Sequence, residues 1–241
     1  MITASFVKAI LSFYQSSIGK KWIVALTGLV LFGFVTGHMI GNLQIFLGHE
    51  ALNRYAEFLQ GLGELLWAIR AFLAGCLVVH IITTATLWVQ NQSATPQSYA
   101  VSSPQAATFG AKTMIISGLL LACFVVFHLL HFTTLSIHPE WKTWMDPEGR
   151  HDVYSLVIAG FRNPLESLVY GVGLFLLALH LSHGIQSLVQ TLGIRSRKIA
   201  AGITCLSPVF AGLIFLGYVA VPAGVLLAQH LNLPILQPLA H

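Results

Sequence analysis

Six histidines lie in stretches of the chain that otherwise carry almost no charge: His38, His80, His128, His131, His180 and His183. An imidazole among apolar side chains must find a hydrogen bond, join a proton relay or bind a metal. A single one is usually met by a neighbouring helix. One or two in each of four successive apolar stretches point instead to a shared task, and what that task is depends on which histidines can meet.

Composition defines the solvent in which they must meet. The chain has 241 residues, 56% hydrophobic and 8% charged, with mean hydropathy +0.77. A water-soluble domain carries about 25% charged residues, so an ordinary soluble globule and a disordered chain are both excluded. A membrane helix needs roughly 20 apolar residues. Five stretches qualify: Trp22–Leu47, Leu65–Val89, Met114–Leu135, Leu168–Leu192 and Ala200–Ala228. The expected fold is all-α, an integral membrane five-helix bundle in one domain over residues 1–241. Ser5–Ser17, with Phe6, Ile10, Phe13 and Tyr14 along one side, reads as a short N-terminal interfacial helix. Met1–Lys20 lacks the long apolar core and cleavage site of a secretory leader. Cys76, Cys123 and Cys205 stand singly, without C-x-x-C or C-x-x-C-H spacing, and read as packing residues. No nucleic-acid partner is expected.

If the five spans alternate, one side holds Lys8, Lys20, Lys21, Lys112, Arg195, Arg197 and Lys198 and no carboxylate. The other holds Arg54, Arg70, Lys142, Arg150 and Arg162 together with all eight acids: Glu50, Glu57, Glu64, Glu140, Asp146, Glu148, Asp152 and Glu166. The positive-inside rule then places the N-terminus on the cytoplasmic side of the cell's inner membrane and the C-terminus outside. The uncharged stretch after Lys198, interrupted by Pro208 and Pro222, is the span whose boundary is least defined.

Alternating direction sets the depth of each histidine. At about 1.5 Å per residue, His38 and His128 each lie roughly 24 Å along outward spans, sharing a level in the outer half. His80 and His180 lie about 15 and 20 Å from the inner ends of inward spans, sharing a level in the inner half, and His183 is level with His80 slightly better than His180 is. Two transverse pairs, one above the other, are the arrangement two bis-histidine haems b require. A proton path through a transporter usually needs intramembrane carboxylates, and none lies at mid-depth; a metal transporter lacks its H-E-x-x-H or Cys/His cluster. The Gly33, Gly37 and Gly41 ladder reads either as a helix-packing seam or as space for a porphyrin.

Several segments resemble a known family, the cytochrome b558 subunit of di-haem succinate:quinone oxidoreductases and fumarate reductases. They are S-S-I-G-K-K-W-I-V-A-L-T-G-L (Ser16–Leu29), H-M-I-G-N-L-Q-I-F-L-G (His38–Gly48), F-H-L-L-H-F (Phe127–Phe132) and L-H-L-S-H-G (Leu179–Gly184). The resemblance extends from Ser16 to about Leu192. It implies five membrane helices, two haems b and a quinone site. The bundle would anchor a flavoprotein with FAD and an iron–sulfur subunit on the inner face. By the same resemblance the axial ligands are His38 and His128 for the outer haem and His80 and His180 for the inner one, rather than His131 or His183. Electrons would pass between succinate or fumarate at the partner flavin and a quinone, menaquinone or ubiquinone. Some fumarate reductases of the family have a Glu two residues before the fourth-helix ligand, linked to proton return across the membrane; here that position is Ala178.

Quinone reduction consumes protons, so its site needs an ionisable group near water. The acids gather on the outer side, with His49, His138, His151, His230 and His241. The resemblance directs attention to a Glu between the first two helices, with Glu57 the first choice and Glu64 the second. An inner alternative lies near Ser16, Ser17 and Lys20. The basic cluster Lys20, Lys21, Arg195, Arg197 and Lys198 is either a docking surface for the soluble subunits or a topology signal touching lipid headgroups. Two rival functions stay open: a di-haem cytochrome b subunit of a membrane hydrogenase or formate dehydrogenase, and a haem-free proton-linked transporter.

Overall fold

The computed structural model describes residues 8, 11–93, 109–193 and 196–240. The α-helices whose bounds lie wholly among the described residues are α1 (Ser17–Leu43), α2 (His49–Gly61), α3 (Glu64–Ser93), α4 (Phe109–His128), α5 (Val153–Arg162), α6 (Pro164–Thr191) and α7 (Arg197–His230). Among the described residues, five apolar runs are long enough to cross a membrane: Ser17–Leu47, Glu64–Ser93, Met114–Thr133, Pro164–Thr191 and Ala201–His230. They coincide with the five expected stretches to within a few residues at most ends. The fifth is one continuous helix despite Pro208 and Pro222, which a membrane helix tolerates because neighbours can satisfy the freed carbonyls. Of the expected interfacial helix, residues 11–15 are helical, and Phe13 and Tyr14 are exposed; residues 5–7, 9 and 10, including Phe6 and Ile10, lie outside the described residues.

Local chemistry sets the helix ends. Ser16 caps α1, accepting from the Gly19 amide at 2.9 Å, and Asn163 caps α6 with Pro164 in the first turn. Gly48 at φ 97° and Gly63 at φ 54° make the sharp turns on either side of α2, conformations costly for any residue with a Cβ. The α4 axis ends in a π turn, Leu129–Thr133, closed by the Thr134 amide on the Leu129 carbonyl at 2.8 Å.

Helices α1, α3, α4 and α6 form a ring. The α1 helix packs on α3 and α6, and α4 packs on α6, while α3 meets α4 only sparingly; α7 lies outside against α6 and α1. Thus α1 faces α4, and α3 faces α6, across the two diagonals. The ring is open on one side: Thr83 is the buried residue of α3.

The acidic end carries a folded cap between the spans. There α2, a 3-10 turn (Pro139–Thr143) and α5 enclose a small polar core. Asn53, fully buried, donates to Asp146 at 3.2 Å and Asp152 at 2.9 Å and accepts from the Tyr154 amide at 2.9 Å. Arg150 reaches Asp146 at 2.7 Å, Glu50 at 2.6 Å and Glu148 at 3.1 Å. Burial pushes the Asp146 carboxyl up, but the Arg150 amide and guanidinium and the Asn53 amide outweigh it, so its pKa lies below the ordinary value. Hydrogen bonding to Arg150 likewise lowers the Glu50 carboxyl.

Candidate functional site

The diagonals of the ring are where the histidines meet. The rings of His38 (α1) and His128 (α4) have centroids 5.8 Å apart at 71°; those of His80 (α3) and His180 (α6) are 6.4 Å apart at 68°. His80 lies beside Thr27 of α1, eleven residues or about 16 Å below His38 along that helix. His180 lies beside Gly118 of α4, ten residues or about 15 Å from His128. The two pairs therefore occupy two levels of the bundle.

Each imidazole is held by its neighbours. The Thr27 hydroxyl donates to the Ile23 carbonyl at 2.7 Å. Its lone pair thus faces His80 Nδ1 at 3.1 Å, which places the proton on Nδ1 and leaves Nε2 with a free lone pair. His180 turns the corresponding edge to Gly118, and its Nδ1 is buried without a partner. Phe34 stacks on His38 with centroids 5.5 Å apart, and Tyr218, anchored by its hydroxyl on the Val35 carbonyl, flanks the same ring. The buried Tyr170 hydroxyl of α6 stands between His128 Nδ1 at 3.3 Å and His131 Nδ1 at 3.1 Å.

This arrangement fits a metal held between two imidazoles. Metal–nitrogen bonds of about 2 Å on opposite sides of one ion put the ring centres about 6 Å apart, the separation seen in both pairs. His131 and His183 belong to neither pair. His131 is fully buried and approaches Glu166 at 3.2 Å, and His80 meets His180 rather than His183, a choice that helix depth leaves open.

Several supporting residues were not legible as such. Thr27, Tyr170 and Glu166 gave no signal of their own. Gly28 and Gly118 did leave one: each precedes a paired histidine, His38 or His128, by ten residues. A Cβ at Gly28 would come within 3.3 Å of the His80 ring, and one at Gly118 within 3.4 Å of His180, so each glycine makes room for the histidine of the other level. Around Gly33 and Gly37 there is open space, so these two form no packing seam among the described residues, whereas Gly41 lies under Tyr55.

The remaining candidates lie at the two ends. Glu57 and Glu64 are exposed. Glu57 lines an open cleft of ≈ 340 Å³ with Gln60, Met145, Arg150 and His151. At the basic end Ser16 serves as the α1 cap and Ser17 is exposed. Lys20 is 3% exposed, donates to the Gln15 carbonyl at 3.0 Å and sits over Tyr14, which takes it out of any freely exposed basic patch. Lys21 and Lys198 are exposed; Arg195 and the Arg197 side chain lie outside the described residues. Cys76, Cys123 and Cys205 are free thiols.

No protein-family model, curated protein or solved structure matches the chain.

Proposed function

We propose that this chain is a membrane-embedded di-haem cytochrome b, the membrane anchor of a succinate:quinone oxidoreductase or quinol:fumarate reductase. The observation that carries the cytochrome reading is the pair of histidine couples across the bundle diagonals. Succinate and fumarate enter through the motif resemblance.

Haem b supplies reversible one-electron chemistry when bound. His38 with His128, and His80 with His180, are the residues that would hold its iron. Thr27 orients one imidazole by fixing its tautomer, and a hydrogen bond to the nitrogen away from the iron tunes ligand basicity. Tyr170 lies against Nδ1 of His128, and Phe34 and Tyr218 wall the outer pair with apolar surface.

In this reading the basic end faces the cytoplasm and receives the iron–sulfur and flavoprotein subunits. The acidic end faces outward and serves a quinone. Glu57, in the cleft beside Arg150 and His151, is the carboxylate best placed to pass protons from water to a reduced quinone; Glu64 is the second candidate.

The test is haem content together with complex composition. The pyridine haemochrome assay is expected to give two haems b per chain. Mass spectrometry of the gently solubilised complex is expected to show a flavoprotein and an iron–sulfur protein. Nickel-containing partners would favour a hydrogenase anchor, and a purified chain without a haem spectrum would overturn the cytochrome reading.

A further inference from the structure

At the acidic end of the bundle, three side chains from three segments converge. His131 comes from the π turn closing α4, His138 from the segment before the 3-10 turn, and Glu166 from the first turn of α6. One ligating atom from each lies within 4.8 Å of the others. Glu166 stands between the two imidazoles: Oε1 is 3.0 Å from His138 Nε2, and Oε2 is 3.2 Å from His131 Nε2. The second contact is close but misaligned for a hydrogen bond, so His131 Nε2 and Glu166 Oε2 are buried polar atoms without a hydrogen-bond partner. The His131 side chain is wholly buried and that of Glu166 is 14% exposed.

His138 completes the cluster. Its Nδ1 faces Glu140 Oε1 at 3.3 Å and its Nε2 faces Glu166 Oε1 at 3.0 Å. A cation between the three side chains gives the two unpartnered buried atoms a common partner. With His138 Nδ1–H toward Glu140 and His131 Nδ1–H toward Tyr170, both Nε2 atoms and the carboxylate turn their lone pairs to the ion. Histidines oriented by hydrogen bonds from their other nitrogen are the usual companions of a bound metal.

We propose that His131, His138 and Glu166 form a divalent-cation site of the zinc class, with Glu140 and Tyr170 orienting the two imidazoles. Two nitrogens and one carboxylate oxygen make a three-ligand zinc set, with the fourth tetrahedral position left to water. The ion would clip the end of α4 and the start of α6 to the cap. The site uses none of the four paired histidines and stands whether or not haem is bound. A second group, His49, Glu50 and Glu148, is a weaker rival because its carboxylates are already engaged by Arg150.

The test measures zinc content and affinity of tag-free, detergent-solubilised protein after gel filtration, with the melting temperature recorded in parallel. Wild type is expected to retain one zinc per chain and to melt higher with zinc than with chelator. His138→Ala and Glu166→Gln are expected to retain none and to lose the zinc-dependent shift. Glu140→Gln, at an exposed position that leaves folding intact, is expected to weaken zinc about 10–100-fold. Cobalt substitution is expected to give the visible absorption of a tetrahedral nitrogen–oxygen site. The proposal is overturned if wild type retains no zinc, if His138→Ala retains it as well as wild type, or if it is lost on Glu148→Gln instead.

Discussion

At the residue scale, two histidines on one helix turn have different surroundings. His128 faces His38 across the bundle, whereas His131, three residues on, is turned to Tyr170, Glu166 and His138. On α6, His180 meets His80 while His183 does not. If the facing pairs are the iron ligands, His128→Ala and His180→Ala each lose one haem of two. His131→Ala and His183→Ala keep both, as read by the pyridine haemochrome assay on purified protein. Loss of a haem in His183→Ala with retention in His180→Ala would transfer the ligand role.

At the element scale, the acidic cap is held by one amide serving three partners. Asn53→Ala removes the bonds to Asp146, Asp152 and the Tyr154 amide, leaving a buried amide N–H unsatisfied at a cost of about 1–3 kcal/mol. The expected result is faster proteolysis of the cap with the transmembrane helices still protected. The cap is also acid-sensitive. Because folding lowers the Asp146 carboxyl below its ordinary 3.8, its contribution is present above that value and is lost as pH falls through the lowered pKa. The fluorescence of Trp141 and Trp144, both in the cap, should therefore hold steady above about pH 4 and change below it. Asp146→Asn should abolish that acid step; an unchanged step in this variant would place its origin elsewhere.

At the scale of the whole molecule, the two ends differ in kind. One gathers lysines and arginines without a carboxylate and the other carries the folded cap, so a small molecule approaching from the acidic side meets the cap first. Glu57 in its cleft and Glu64 at the start of α3 are the groups to test. If the chain is the proposed di-haem anchor, quinone-linked turnover of the complex should fall at least tenfold in one of Glu57→Gln and Glu64→Gln, with succinate oxidation by a dye acceptor and both haems unchanged, the tenfold loss being about 1.4 kcal/mol of transition-state stabilisation. Full quinone activity in both variants would move the site to the basic end, near Ser17.

The five spans, their order and the two histidine levels follow from sequence, because hydropathy and a fixed rise per residue are one-dimensional properties. The continuity of the fifth helix through two prolines was less plain, since an isolated sequence does not show which neighbours satisfy the freed carbonyls. Direction around a helix axis and contacts between distant segments are different quantities. Whether His180 or His183 faces His80 and whether Gly33 is a seam or an open surface depend on how α1, α3, α4 and α6 rotate against one another, and Lys20 is held by the Gln15 carbonyl and the Tyr14 ring of the segment before α1. The cap was hidden for a related reason: α2 and α5 carry polar residues whose partners, Asn53 with Asp146 and Asp152, lie roughly 90 to 100 positions apart in the chain. Only folding brings Glu166 to His131 and His138, because a loop of nearly thirty residues must close before those lone pairs can converge.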